Sequence, residues 1–204
     1  MKNICVFFTC IIFFYSCSQS KVNERYKNDL RKFPSFLIDF FPSNLLDQYV
    51  SSMNVDTTSQ CIFYQLYVFN PDKTVFNKFR AIQEYNPNDS FLITIKRKTL
   101  FDWSYKEKNF YESINRNQRK YFPILFFEKI EMVNNLKKIN IFSDVSESGL
   151  NKNFKIYVVE SKTGNFWHGL KPLDYMPTGF KNGYSKGFCV NEVDNVLIYW
   201  FVVW

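Results

Sequence analysis

The sequence predicts an α+β fold, one domain built on a mainly antiparallel, twisted sheet of about five strands with helices packed against it. Three observations carry this. Val196 to Trp204 is apolar at every position, and a strand apolar on both faces needs cover on both. Lys186 to Val190 precedes it across the polar pentapeptide Asn191–Asn195, an arrangement that reads as a hairpin. Gln60 to Phe69 is strand-like and apolar on both faces, as a central strand is.

Taken in order, helical character begins near Asn23, with Tyr26, Leu30 and Phe33 at spacings of four and three. Pro34 interrupts it. Leu45, Leu46, Tyr49, Val50 and Met53 recur at helical spacing behind Ser43, which predicts an amphipathic helix over 43–53. After the Gln60–Phe69 strand, Asp72 is placed to cap a helix over 73–85 with Val75, Phe76, Phe79 and Ile82 on one stripe. Asn86-Pro-Asn-Asp89 is a turn. Phe91, Ile93 and Ile95 alternate with Leu92, Thr94 and Lys96, which predicts a second strand. Residues 99–123 carry no clear period. A helix is expected over 126–136, a short strand over 139–142 and a polar loop over 143–153. Phe154 to Ser161 reads as a strand. Gly, Pro and Asn punctuate 164–183 as a long surface loop.

The N-terminus is organised differently. Lys2 precedes an uncharged apolar run from Ile4 to Tyr15, which is closed by Ser16 and followed by Cys17. A charged start, a short apolar stretch and a small residue form a secretory signal. The run is shorter than the roughly 20 apolar residues a spanning helix needs. The expected organisation is a signal peptide over 1–16, a polar tether over 17–23 and a globular domain over 24–204. At ~3.3–3.6 Å per residue the tether reaches about 20–25 Å, which keeps the domain near a membrane.

Phe14-Tyr15-Ser16-Cys17 resembles the lipobox of a bacterial lipoprotein precursor, although Tyr15 is bulkier than the pattern prefers. The resemblance implies that Cys17 receives a diacylglyceryl group, that cleavage falls on its N-terminal side, and that the new amine is acylated. Two or more chains anchor stably, where one binds marginally. The looser box is similar to those of Bacteroidota. There, Asp56-Thr57-Thr58 resembles a short O-glycosylation acceptor, with Thr57 as the modified residue. Gly183-Tyr-Ser-Lys-Gly187, Phe154 to Ser161, Met176-Pro-Thr-Gly179 and Tyr199-Trp200 resemble the C-terminal region of uncharacterised Bacteroidota lipoproteins. That resemblance implies no activity.

Charge and composition bound the function. The net charge of +7 falls to +6 when Lys2 leaves with the signal. The basic residues are spread in small clusters, so a solvated surface is expected and nucleic acid is not a partner. The aromatic content of 20% reads as a large aromatic core, although an aromatic-lined groove is the alternative. Cys61 and Cys189 lie in apolar strand-like segments. Export permits their pairing, and burial as free thiols is the simpler reading.

Catalytic signals are sparse. His168 is the only histidine. In Gly164-Asn-Phe-Trp-His-Gly169 it is a candidate general base, and Cys189 is its nearest candidate nucleophile. The run from Asp144 begins like a calcium loop, but Lys155 stands where a carboxylate is required. One histidine and two scattered cysteines do not make a zinc site. Glu128 and Glu131, three apart, read as a solvated helix face. No metal or cofactor is expected.

The expected function is therefore that of a lipid-anchored cell-envelope protein, on the periplasmic or surface side of the outer membrane. It is expected to bind a partner through its loop-rich side, without enzymatic activity. The alternatives are a carbohydrate- or peptide-binding module using exposed Phe166, Trp167, His168 and Tyr184, or a hydrolase with a site near His168. Gly183 and Gly187 are expected to supply unusual backbone angles. Tyr184 and Ser185 between them read as a strand's start or as a small recognition loop.

Overall fold

The C-terminal run does what its composition demands. As β8, Val196–Val203 is flanked on both sides by antiparallel partners. One is β2, Ile62–Phe69, with Trp200 opposite Gln65. The other is β7, Gly183–Asn191, with Trp200 opposite Gly187. Every residue of these three strands is buried.

The computed structural model describes residues 21–45, 48–72, 74–77, 82–89, 91–95, 122–129, 141–143, 146–174, 176 and 179–204. The chain divides into two compact units, Met1–Gln48 and Tyr49–Trp204. In the first, a helix over residues 21–30 (α1) ends ahead of Pro34, which caps a one-turn helix, α2, at Ser35–Ile38. The Tyr26 hydroxyl donates to the Pro42 carbonyl at 2.7 Å, and the Leu45 N–H donates to Asn23 Oδ1 at 2.7 Å. These two bonds hold the segment after α2 to α1.

The second unit contains the sheet. Its remaining strands are β1 (Gln48–Asn54), β3 (Glu84–Tyr85) and β6 (Lys155–Thr163), and the spatial order is β1-β2-β8-β7-β6-β3. The main sheet thus has six strands, and β2, β3, β6, β7 and β8 pair antiparallel. Helices are few among the described residues. A β-bulge interrupts the β6–β7 register between Val158 and Glu160. A second, two-stranded sheet joins β4 (Leu92–Ile95) and β5 (Phe122–Leu125) in parallel.

The core lies on one sheet face. Phe63, Tyr67, Ile198, Trp200 and Val202 pack there with Ile93, Ile95, Ile124, Phe127 and Phe154. Phe127 meets Trp200 edge-on, with ring centroids 6.2 Å apart and planes at 88°. The opposite face, with Tyr64, Leu66, Tyr199 and Phe201, is buried as well. This agrees with the expectation that the central strands need cover on both sides.

Several expected elements are corrected. Residues 48–54, overlapping all but the start of the expected helix 43–53, form β1. The run Tyr49-Val-Ser-Ser-Met53 fits either period, and pairing with β2 decides it. The expected helix 73–85 is, where described, a single turn, α3 (Thr74–Asn77), followed by strand β3. Its cap is as expected: the Thr74 N–H donates to Asp72 Oδ1 at 2.9 Å, which holds the Asp72 carboxyl below its usual range. Residues 126–129 are not helical, because the Phe126 and Phe127 N–H groups donate to Ile95 and Ser148 carbonyls at 2.9 Å. Glu128 is exposed there, while Glu131 and Asp144 lie outside the described residues. Phe122–Leu125, within and beyond the unassigned stretch, is β5.

The cysteines are free and buried. Ile62 stands opposite Val203, and Cys189 opposite Ile198. Cys61 and Cys189 are therefore roughly 15–20 Å apart along the ladder at ~3.4 Å per residue, beyond disulfide reach.

Gly183 and Gly187 have no left-handed backbone, contrary to the expectation of unusual angles. Their role is close approach. A Cβ on Gly187 would stand 2.0 Å from the Tyr157 carbonyl and 2.9 Å from the Trp200 ring. On Gly183 it would stand 2.5 Å from the Lys162 carbonyl and 2.6 Å from the Trp204 ring. Each tryptophan lies across from its glycine, and the ring occupies the space a side chain would need. Gly183 to Gly187 is thus a buried strand and not a recognition loop.

Candidate functional site

Strand directions decide which loops meet. β2 begins where β8 ends, and β6 ends where β7 begins. The β1–β2 turn and the long loop 164–182 therefore emerge at the same end of the sheet. A Cβ on Gly169 would stand 3.9 Å from the Thr57 side chain, so the two loops touch. The structure thus brings together Thr57 and the His168 segment, two features far apart in sequence.

Loop 164–182 is fastened at several points. The Gly164 N–H donates to the Asn182 carbonyl at 3.0 Å, and the Leu173 N–H to the Lys181 carbonyl at 2.9 Å. The Trp204 indole N–H donates to the Phe180 carbonyl at 2.5 Å. Leu170, Leu173 and Met176 are buried beneath it. Gly164, with φ 134°, lets the chain turn so that the Phe166 ring meets Tyr184 edge-on at 4.6 Å. Trp167 is half-buried and His168 exposed.

Tyr184 does not belong with the exposed aromatics. It is 2% exposed, because it sits on β7 under Phe166. Its hydroxyl donates to Glu160 Oε2 at 2.7 Å. The same carboxylate meets Lys162 Nζ at 2.5 Å and the buried Lys186 Nζ at 3.4 Å. Sequence reasoning missed this group. Glu160 and Lys162 face Lys186 and Tyr184 only through the β6–β7 register, which the bulge shifts. Its part is structural: it fixes Tyr184, on which Phe166 and the loop rest.

The Lys162 and Tyr184 hydrogen bonds, with the Lys186 charge, hold the Glu160 carboxyl at about 2. The folded state therefore keeps Glu160 ionised where the unfolded chain, near the ordinary value of 4.5, takes up a proton. This stabilisation is full above the ordinary value and disappears as pH falls toward about 2. The urea midpoint should fall more steeply between about pH 5 and about pH 2 in the wild type than in Glu160→Gln. Parallel slopes would contradict the assignment.

Thr57 is half-buried in the turn. Asp56 Oδ1 accepts from the Thr58 N–H at 2.9 Å, and Oδ2 from the Thr58 hydroxyl at 2.7 Å. These bonds hold the Asp56 carboxyl below its usual range.

His168 and Cys189 are not brought together. Cys189 lies roughly 20 Å along β7 from the loop's return at Gly183. It is on the core face, where burial pushes its thiol well above the ordinary range. Among the described residues no three of His, Cys, Asp and Glu converge as a metal site, and no helix is long and apolar enough to cross a membrane. Cys17 lies outside the described residues. The chain matches no family model, no curated protein and no solved structure.

Proposed function

We propose that this chain is a lipid-anchored protein of the bacterial cell envelope that binds a partner through the loop end of its sheet. The anchor reading rests on the sequence from Lys2 to Cys17. The binding reading rests on one observation: loop 164–182 is fastened to the sheet while Trp167 and His168 stand on it, half-buried and exposed. A loop already held in place loses little further freedom on binding. A half-buried indole offers a large apolar surface with a polar edge, suited to a peptide, a glycan or a protein surface.

The hydrolase reading has less support. Among the described residues His168 has no hydrogen-bond or ion-pair partner to orient it as a base.

The test uses the full chain in its membrane. Intact mass of the mature protein should carry a lipid increment on Cys17, and Cys17→Ser should leave the membrane fraction. Glycan and peptide arrays, with crosslinking in the envelope, should give a partner that is lost on Trp167→Ala. An unlipidated mature N-terminus overturns the anchor, and a partner retained by Trp167→Ala overturns the loop as the binding face.

A further inference from the structure

The opposite end of the sheet carries a cleft of about 530 Å³, within the range of small-molecule sites. Lys155 and Tyr157 enter it from β6, Val190 from the end of β7, Glu192 from the turn after it, Glu84 from β3, and Phe76 from α3. The register explains the grouping, since Lys155 pairs with Val190 and Tyr157 with Glu84. Its floor is aromatic: Tyr157 is 8% exposed and packs on Phe188 at 5.2 Å.

Among its described residues, charge within the cleft is unbalanced. Glu84 Oε2 takes Lys155 Nζ at 3.0 Å and accepts the Tyr157 hydroxyl at 3.2 Å, so the one cation among the described lining residues is spent on it. Glu192 has no hydrogen-bond or ion-pair partner among the described residues. The turn that carries it is fixed, although its side chain is exposed. The Asp194 N–H donates to Asn191 Oδ1 at 2.9 Å, Asn191 Nδ2 donates to Asp194 Oδ2 at 2.8 Å, and Asn195 turns the chain with φ 52°. Among the described residues the cleft therefore offers one uncompensated carboxylate, Glu192, beside an apolar, aromatic wall.

We propose that this cleft binds a small organic cation, an ammonium on a flat apolar body, with Glu192 meeting the charge and Tyr157 and Phe76 the body. The phenol of Tyr157 is pushed up to about 12 by burial and by the fields of Glu84 and Glu192. Both carboxylates thus act on the floor where the cation would lie. An aromatic wall adds attraction for a cation, and an anionic cleft rejects carboxylates and phosphates.

Calorimetry of the full chain with phenethylammonium tests this, with 2-phenylethanol as the neutral counterpart of the same shape. Saturable binding of the ammonium is expected, with the alcohol at least about tenfold weaker. Glu192→Gln, a change on an exposed turn, should remove that difference. Lys155→Met should tighten ammonium binding by freeing Glu84, a gain that general destabilisation does not produce. Equal binding of the two compounds, an unchanged Glu192→Gln, or no saturable binding overturns the proposal.

Discussion

Gly187→Ala should destabilise the protein by about 3 kcal/mol or more, an unusually large cost for one methyl group. The new Cβ would stand 2.0 Å from the Tyr157 carbonyl, where no rotamer change helps because the obstructing atom is backbone. It would also press on the Trp200 ring at 2.9 Å. Gly187 pairs with Val158, immediately before the bulge, where β6 brings its backbone close to β7. Urea unfolding of the full chain measures this, and a loss below about 1 kcal/mol would show that the strand shifts cheaply.

Trp200→Ala should cost about 3–5 kcal/mol, the usual range for emptying a buried tryptophan site. Trp200 is fully buried, meets Phe127 edge-on and covers Gly187. The double variant with Gly187→Ala separates the two obstacles to a side chain at Gly187. Removing the indole relieves the ring clash and leaves the carbonyl clash, so the double variant should be more stable than the summed single losses and less stable than Trp200→Ala alone. Strict additivity would mean that ring and glycine are not coupled.

The strands richest in apolar residues were legible because hydrophobicity alone identifies them: β2 and β8 fall within the expected Gln60–Phe69 and Val196–Trp204, and the expected Lys186–Val190 arm of the hairpin lies inside β7, which begins three residues earlier at Gly183. Elements with mixed faces were not. Tyr49-Val-Ser-Ser-Met53 fits two periods and takes its form from β2. The parallel β4–β5 pair joins strands far apart in sequence, and no local pattern states such a pairing. At the loop end, Phe166, Trp167 and His168 were legible as a Gly-bounded aromatic segment. The contact with Thr57 and the burial of Tyr184 depend on sheet register, and so do Glu160, Lys162 and Lys186. Glu192, without a partner among the described residues, emerges in the cleft only once its turn is built.

The bulge in β6 has a consequence beyond its own strand. β3 covers only Ile156 and Tyr157, so among the described residues the rest of β6 runs along the margin of the sheet. A long, flat margin recruits a second chain by backbone pairing. Here the ladder is kinked between Val158 and Glu160, and charged Glu160 and Lys162 follow the kink. The same irregularity that requires a glycine on β7 therefore limits edge-to-edge growth, and a substitution that straightened β6 would trade local strain for self-association.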